Sequence, residues 1–563
     1  MLNYLFKEKK QFILYIFFLI LDGINVALLA YFLKYTFDAA NSGSCYRLNM
    51  AWLVVGIYLL FYSVVSNCTR HFKANYITKT MFYLKEDLFF QIVNYSIHKF
   101  NQQAYASYIS IYNNDLELVE KKYFESIFLI IRSIVILICS FVMLIWIQPF
   151  VAAAGIILSL LPLVIPKIFE EKLGNYTKKY TDSMKEYNSL LSNYFMGFET
   201  IKSFGIKKNV IHLHSQTNKS VEDRKKKSYY VKANADVATN FIAIGTQFAV
   251  YLISGYFMIK GVITAGSVIA ITQLMYKVVN PVFDVIDQLN NMKSVKSVIK
   301  EINEILNYKE EEKEVKNQLE VKRGISFEHV FFRYDGSDFC LKDISLYLEK
   351  GKKYVIVGES GSGKSTLVKL LLGYYNNFNG QIWFDDICLK KVNPECLCQM
   401  FSVMHQNVFL FDDTIFNNLT LYQDYDLTVV QSVIHQVGLS DCVNLLENNI
   451  YTKIQGNGAN LSGGEKQRIA LARTLLRGSQ WVIMDEATSN LDNETFHTIE
   501  QQILSLENIT CITITHRYQK ELLERYDKIF VLKNGELYES GTFQELMEQR
   551  GLFYNSYTVF DTV

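Results

Sequence analysis

The sequence predicts an α-helical membrane domain of six transmembrane helices that extend into the cytosol, followed by an α/β domain with a phosphate-binding loop. Half of the 563 residues are hydrophobic, and six long apolar runs lie in the N-terminal half. From about Val321 onward, short β-like runs alternate with helices and glycine turns, which is the pattern of an α/β domain. We therefore assign residues 1–299 to the membrane domain, 300–322 to a linker rich in Glu and Lys, and 323–563 to the α/β domain.

Composition argues against several classes of function. The formal net charge of +1 gives no reason to expect nucleic acid as a partner. The nine cysteines show neither the spacing of a disulfide framework nor the CxxC pairs of a zinc site. Cys396 and Cys398 are the one close pair, and a single intervening residue suits neither a tetrahedral metal site nor a redox pair. We interpret the cysteines as packing residues in a reducing cytosol.

The apolar runs are long enough to form transmembrane helices. Each approaches the ~20 residues that cross a hydrocarbon core of about 30 Å. The first run is longer than the ~7 to 15 apolar residues of a signal peptide, so we interpret it as a span. Helices are expected because barrel strands are shorter and alternate strictly. The six runs cover about residues 11–37, 50–65, 127–147, 150–169, 241–262 and 267–286.

The distribution of Lys and Arg predicts the orientation of these spans. The N-terminus carries Lys7, Lys9 and Lys10, and the stretch between the fourth and fifth runs is rich in lysine. The connections on the opposite side contain Arg47 and Lys260 but little else that is basic. Because basic residues accumulate on the cytoplasmic side of a membrane, both termini are expected in the cytoplasm.

Two long connections between spans are expected to be helical extensions into the cytosol. They cover about residues 69–126 and 170–240 and contain no Gly/Pro/Ser-rich linker. Within each, a short turn must face the C-terminal domain if that domain is to move the membrane part. The candidate turns are residues 107–115 and 196–204.

Three ionisable residues lie inside the predicted spans, where charge is costly and usually faces a partner or a cavity. Asp22 and Lys277 are near the middle of the first and last spans, and Arg132 is nearer the cytoplasmic end of the third. Two interpretations stay open. Asp22 pairs with Lys277 or Arg132 to fix helix packing, or these residues contact a transported solute.

A phosphate-binding loop follows the strand-like run at 354–357. The loop reads Gly358-Glu359-Ser360-Gly361-Ser362-Gly363-Lys364-Ser365, and a helical run begins at Thr366. This sequence matches GxxxxGK[ST] between a strand and a helix, which is the context that the motif requires. Glycines let backbone N–H groups surround phosphates, Lys364 adds a positive charge, and Ser365 is expected to bind Mg²⁺. The segment is therefore predicted to bind ATP with Mg²⁺.

A second acidic motif supports ATP hydrolysis. The apolar run Trp481-Val482-Ile483-Met484 ends in Asp485 and Glu486. Asp485 is placed to bind Mg²⁺ through water, and Glu486 to polarise the attacking water. An apolar run that ends in two acids is weak evidence by itself, but downstream of a phosphate loop it predicts an α/β P-loop ATPase domain.

The sequence Leu461-Ser462-Gly463-Gly464-Glu465, followed by Lys466-Gln467-Arg468, resembles the signature motif of the ABC ATPases. With the N-terminal spans, the resemblance is to ABC exporter half-transporters and covers essentially the whole chain. The resemblance implies further roles at matching positions. It implies that Tyr334 stacks on adenine and that His516 contacts the γ-phosphate. It also implies that Gln406 senses Mg²⁺ and the membrane domain, and that Asp492 ends the D-loop Ser489-Asn490-Leu491-Asp492, which contacts the other copy of the dimer.

The resemblance also implies a dimer in which each ATP lies between one copy's phosphate loop and the other copy's signature motif. The signature serine, Ser462, and the N-terminus of its helix offer an anion site that a single subunit does not direct at its own nucleotide. The implied partner is a second half-transporter, identical or different.

Two positions depart from the family pattern. Glu465 replaces the usual glutamine of the signature, from which we do not infer inactivity. Gly456 replaces the glutamate that is common just before the signature in exporters. That acid normally helps to contact the coupling segments, so altered coupling is expected here.

The predicted function is ATP-driven export of an amphipathic solute across a bacterial cell membrane by alternating access. Mixed charges at Asp22, Arg132 and Lys277 favour peptides or drugs, and lipids stay open as cargo. Three alternatives remain: an importer of siderophores with an exporter-like fold, a flippase of lipids or lipid-linked glycans, and an ATP-gated channel or regulator.

Overall fold

The structure is a computed structural model that describes residues 1–159, 161, 164–308, 319–334, 339–405, 408–485 and 500–561. Two compact units are present, and each is described by itself. The first comprises Met1–Asn94 and Gln103–Tyr308, and the second Tyr95–Gln102 and Lys309–Val563.

The N-terminal half is helical throughout its described residues. Long helices are expected here because the apolar runs continue into amphipathic segments without a helix-breaking cluster. The helices are α1 (Leu2–Leu5), α2 (Lys9–Asn41), α3 (Cys45–Val93), α4 (Ile97–Phe100), α5 (Tyr105–Ile147), α6 (Pro149–Ser159), α7 (Val164–Met196), α8 (Phe198–Ser203), α9 (Lys207–Ile259), α10 (Ala265–Ser294) and α11 (Lys296–Leu306). Within α5, two turns are π-helical, at Ile111–Asp115 and Glu120–Phe124.

Five helices among the described residues are long and apolar enough to cross a membrane, namely α2, α3, α5, α9 and α10. They include five of the six predicted runs. The remaining run, 150–169, falls on α6 and the start of α7, and residues 160, 162 and 163 of it lie outside the described residues. The count of six spans therefore stays a prediction.

Close helix approach and one ion pair join α2 to α5. A Cβ on Gly23 would lie 2.7 Å from Val135 Cγ1, so glycine permits the two helices to approach closely. One turn away, Arg132 Nε donates to Asp22 Oδ2 at 2.8 Å, and the Asp22 side chain is only 6% exposed. Of the two partners considered for Asp22, the structure therefore selects Arg132.

The segment Tyr95–Gln102 belongs to the second unit although it lies within the first long connection. It contains the short helix α4, and the ring of His98 lies 5.2 Å from that of Tyr375. The predicted turn at 107–115 is wrong as a turn, because those residues are helical, within α5 of the first unit; its role in facing the C-terminal domain stays a prediction. The other candidate, 196–204, lies around α8 in the first unit and stays a prediction.

The second unit contains two sheets. One has the strand order β2-β1-β4-β5, and the other β10-β9-β3-β8-β7-β6. Their strands are β1 (Gly324–Arg333), β2 (Cys340–Glu349), β3 (Lys353–Gly358), β4 (Asn379–Phe384), β5 (Ile387–Cys388), β6 (Phe401–Met404), β7 (Trp481–Asp485), β8 (Thr510–Ile514), β9 (Lys528–Lys533) and β10 (Glu536–Gly541).

The larger sheet positions the site. Strands β9, β3, β8, β7 and β6 run parallel, so their carboxyl ends meet at one edge. Their nearly continuous burial agrees with a sheet covered on both faces. Ligands of such sheets bind at this edge.

The helices of this unit are α12 (Lys364–Leu371), α13 (Pro394–Met400), α14 (Ile415–Thr420), α15 (Leu427–Gln436), α16 (Ser440–Leu445), α17 (Gly463–Arg477), α18 (Lys520–Leu523), α19 (Phe543–Gln549) and α20 (Leu552–Asp561).

The first unit, Met1–Asn94 and Gln103–Tyr308, is the membrane unit. Replacing Arg132 by Met should destabilise the membrane unit by about 3 kcal/mol, because Asp22 would remain buried without its cation. The double variant Asp22→Asn, Arg132→Met should recover most of this loss. Thermal unfolding in lipid discs measures both effects. As a control, Lys7→Met removes an exposed pair with Asp87 and should change stability by less than about 1 kcal/mol. Equal losses in the single and double variants would contradict a coupled pair.

Candidate functional site

The phosphate loop joins the end of β3 to the start of α12. Gly361 and Gly363 have φ values of 81° and 107°, a region that favours glycine. A Cβ on Gly363 would lie 2.5 Å from Leu341 Cδ2, so this position has no room for a side chain. The loop therefore keeps its backbone open to a phosphate, as the motif predicts.

Lys364 lies inside this loop and is buried. Its Nζ donates to the carbonyl oxygens of Gly358 and Glu359, both at 2.9 Å. Ser360 and Gly361 at the tip are exposed, whereas Ser362 is buried, and its Oγ has no hydrogen-bond partner among the described residues. A buried hydroxyl and a buried ammonium in a glycine loop fit a bound phosphate oxygen, which would accept from such donors.

The two predicted Mg²⁺ ligands meet at the sheet edge. Ser365 Oγ on α12 donates to Asp485 Oδ1 at the end of β7, at 2.9 Å. Mg²⁺ prefers oxygen ligands and usually takes one or two from the protein, with the rest from water and substrate phosphates. A hydroxyl and a carboxylate at this separation fit that ligand set.

Tyr334 follows β1 and is half-buried in an aromatic cluster. Its ring lies 4.9 Å from Phe332 and 5.3 Å from Tyr375, and its hydroxyl is 3.1 Å from Thr366 Oγ1. The hydroxyl contact joins the aromatic residue to α12 directly behind the phosphate loop. Tyr375 was not singled out from sequence, and it also contacts His98 of the segment Tyr95–Gln102.

His516 lies two residues beyond the end of β8, at the same edge. It lines a cavity of about 400 Å³ together with Gly358 and Glu359. The parallel register therefore brings the predicted switch histidine beside the first residues of the phosphate loop.

The signature serine caps the N-terminus of α17. Ser462 Oγ accepts from Glu465 N at 3.3 Å, and Glu465 Oε2 accepts from Ser462 N at 2.7 Å and from Ser462 Oγ at 2.8 Å. This is a capping box, which satisfies backbone donors that a helix start leaves unpaired. Ser462 and Gly463 are exposed, and Gly463 and Gly464 form the first turn.

The capping box therefore explains how the structure accommodates glutamate at position 465, where glutamine is usual. Burial tends to raise the pKa of its carboxyl, but hydrogen bonds from Cys442 and Ser462 lower it, and the net shift is downward. The thiol of Cys442 moves the other way, since burial and the Glu465 carboxylate raise its pKa to about 12. The helix start thus carries an anion that belongs to the chain itself.

Arg473 holds the signature helix against the segment that follows β6. Its guanidinium donates to the carbonyl oxygens of Asn418 at 2.6 Å and Phe409 at 2.8 Å, and to Asn418 Oδ1 at 2.9 Å. Burial lowers the pKa of this guanidinium to about 10. No motif marks this residue, because its partners are distant in sequence.

The loop before the signature is built around a left-handed turn. Gly456 has a φ of 56°, so a side chain here, including the glutamate common in exporters, would be strained. The next residue, Asn457, accepts from Leu410 N at 2.7 Å and donates its own N–H to Asp412 at 3.2 Å.

Three predicted site residues, Gln406, Glu486 and Asp492, lie outside the described residues, as does the rest of the D-loop.

The membrane unit contains a second candidate site, a cavity of about 970 Å³. Arg132 and Lys277 line it, whereas Asp22 is buried behind Arg132. Three carboxylates that were not singled out from sequence also line it, namely Asp236, Asp284 and Asp287. The volume is within the range of ligand pockets, about 300 to 1,000 Å³.

Two family models match the chain. The model described as "ABC transporter transmembrane region" matches residues 12–282, and the model described as "ABC transporter" matches residues 341–489. The two matched regions therefore follow one another in a single polypeptide.

Relatives named ATP-dependent lipid A-core flippase are similar over most of the chain. The protein of Wigglesworthia glossinidia brevipalpis is 27% identical and covers 98% of this chain and 95% of its own length. That of Yersinia pestis bv. Antiqua (strain Antiqua) is 27% identical, covering 84% and 82%. That of Escherichia coli (strain K12) is 26% identical, covering 90% and 87%.

A solved structure described as a bacterial Atm1-family ABC exporter with ATP bound has a similar fold. The TM-score is 0.83 at 21% identity, and the match covers 98% of each chain. At this identity the likeness supports the fold, a helical transmembrane region followed by a nucleotide-binding domain.

Tyr375→Ala should raise the KM for ATP about three- to tenfold with little change in kcat, because Tyr334 would lose an aromatic neighbour. Tyr538→Ala, at an exposed position on β10, is the matched control. ATPase rates measured over a range of ATP concentrations separate KM from kcat. An unchanged KM in Tyr375→Ala would show that Tyr334 is positioned without it.

Glu465→Gln should lower the KM for ATP about three- to tenfold, because it removes an anion from a helix N-terminus that is predicted to receive phosphate. Glutamine at this position also completes a capping box, so stability should change by less than about 1 kcal/mol. The difference from the parent should shrink as salt is added. A higher KM in the variant would mean that the carboxylate assists nucleotide binding.

Proposed function

Because the chain belongs to the ABC transporter family, with the transmembrane region and the ATPase domain in one polypeptide, we propose that it is a half-transporter. Two copies export an amphipathic solute across a bacterial cell membrane, driven by ATP hydrolysis. The observation that carries this proposal is the meeting of Lys364, Ser365 and Asp485 at one sheet edge, in a chain with five helices of membrane-spanning length.

ATP binds first through the phosphate loop. Backbone N–H groups of residues 358–366, with Lys364, hold the phosphates, and Tyr334 stacks on adenine. Ser365, Asp485 and Gln406 would hold Mg²⁺, which neutralises charge on the phosphates when bound. The Ser365–Asp485 hydrogen bond supports this ligand pair, since both oxygens already lie together.

Hydrolysis requires a second copy of the chain. Ser462, Gly463 and Gly464 of one copy contact the triphosphate held by the other, and Asp492 lies at the contact between copies. The exposure of Ser462 and its helix start supports this role, because the group is available to a partner. Glu486 polarises the attacking water, and His516 contacts the γ-phosphate.

Transport follows from the difference in ATP affinity between two states of the dimer. ATP stabilises the state in which the ATPase domains close, and hydrolysis releases it. The cavity of the membrane unit is exposed alternately to the two sides. Under this proposal both termini are cytoplasmic, the domain boundaries are those given above, and the partner is an identical copy.

A lipid is the second candidate cargo. The specific observation in its favour is similarity, over most of the chain, to proteins named ATP-dependent lipid A-core flippase. Uptake of a siderophore or a gating role has no such observation behind it. Accumulation of solute in inside-out vesicles distinguishes export from uptake.

Glu486→Gln should lose ATP hydrolysis by about a hundredfold or more and trap ATP in a closed dimer, because the water would lack its base. Phosphate release and retention of labelled nucleotide after gel filtration measure both effects. Lys364→Ala is the matched control, since it should lose hydrolysis without retaining nucleotide. Phosphate release at the parental rate in Glu486→Gln would contradict the role of this residue.

A further inference from the structure

More acidic than basic side chains line the cavity of the membrane unit, and this excess of negative charge indicates which cargo the cavity favours. Two cations line it, Arg132 and Lys277, against three carboxylates, Asp236, Asp284 and Asp287. Because Asp22 already pairs with Arg132 at 2.8 Å, the lining keeps three carboxylates against the single ammonium of Lys277. The inference drawn from this rests on the proposed transport function.

The three carboxylates are available to a ligand. All three are exposed in the described chain, and none forms an ion pair with a described residue. Asp284 and Asp287 are one turn apart on α10, so their charges repel each other. Arg132 and Lys277 are close enough to attract Asp284 but do not pair with it. A cation that enters here gains more attraction than an anion.

Aromatic rings also line the cavity. Tyr58, Tyr62 and Tyr276 line the cavity, and the faces of such rings attract cations. The Nζ of Lys277 already lies 5.7 Å from the ring centroid of Tyr276, which shows that this ring is accessible to an ammonium group. Tyr58 is held in place by a hydrogen bond to Asn25 O at 2.8 Å and by Phe32, whose ring is 4.3 Å away.

Apolar side chains line the cavity as well, beside the polar Thr239, Asn240 and Asn280. Val26, Leu29, Leu59, Ile136 and Phe283 line the cavity and suit a hydrocarbon or aromatic body. With the orientation proposed above, Asp236 and Asp287 lie at the cytoplasmic side of the fifth and sixth predicted spans, about residues 241–262 and 267–286. A solute that enters from the cytoplasm would therefore meet the carboxylates first and place its apolar part deeper.

We propose that this cavity selects a cationic amphipath, a solute that carries positive charge, such as an ammonium, guanidinium or phosphonium group, beside an apolar body. An anionic lipid headgroup is the opposite case, since it would face three carboxylates. The shared chemistry fits a short cationic peptide and a small lipophilic cation, and the experiment separates these two sources.

The test measures ATPase stimulation of the full chain in discs of zwitterionic lipid. The probes are an amphipathic peptide with lysines at its polar positions, the same peptide with glutamates there, tetraphenylphosphonium, and an anionic phospholipid. The lysine peptide or tetraphenylphosphonium should raise turnover about threefold or more, and the two anionic probes should not. The more potent of the two cations identifies the source.

Charge variants of the cavity should shift this response in opposite directions. The double variant Asp284→Asn, Asp287→Asn should raise the half-stimulating concentration of the cation about tenfold or more, and Lys277→Met should lower it. Asp182→Asn, an exposed carboxylate on α7 outside the cavity, should behave as the parent. Fluorescence quenching by a bound cationic dye gives a readout that does not depend on hydrolysis.

Two kinds of failure are distinguishable. If ATP is hydrolysed but anionic probes stimulate as strongly as cations, or no probe does, the charge selectivity is overturned while the ATPase assignment stands. The charge selectivity is also overturned if the double variant Asp284→Asn, Asp287→Asn responds to the cation as the parent does. If the purified chain hydrolyses no ATP with any probe, the proposed function itself fails.

Discussion

The hydrogen bond from Ser365 to Asp485 connects two parts of the candidate nucleotide site that lie 120 residues apart in sequence. It forms because α12 starts at the end of β3 while β7 ends two strands away in the same parallel sheet. Lys364 and the residues after β8 depend on the same register, because each follows a strand of this sheet. Tyr334 follows β1 of the smaller sheet and reaches the same edge through its contact with Thr366 on α12.

In the membrane unit, the corresponding constraint is the cost of an unpaired charge. Asp22 is almost fully buried and therefore requires Arg132, which the close contact at Gly23 brings within reach. Because the charges of Asp22 and Arg132 neutralise each other, this pair adds little net charge to the cavity. The carboxylates on α9 and α10 then dominate a space that would otherwise be close to neutral.

Much of the candidate nucleotide site could be predicted because its motifs are contiguous. The phosphate loop, Asp485 and Ser462 each belong to a short run whose spacing reflects local geometry. Tyr375, Arg473 and Cys442 have no such signal, since their partners lie far away in the chain and meet only in the folded unit. The sequence did not predict that Tyr95–Gln102 belongs to the second unit. The signal that could have located it is Ser96, which caps α4 by accepting from Lys99 N.

The two π-helical turns of α5 have a consequence for how its faces are arranged. Each wide turn accommodates one additional residue, which rotates all that follows by about 100° relative to a regular α-helix. Two such turns within 14 residues, Ile111–Phe124, offset the start of α5 from its apolar part by about 200°. A stripe of side chains drawn along one end does not continue along the other. The helix can therefore present one set of residues to the neighbours of its apolar part and a different set to the neighbours of its first turns.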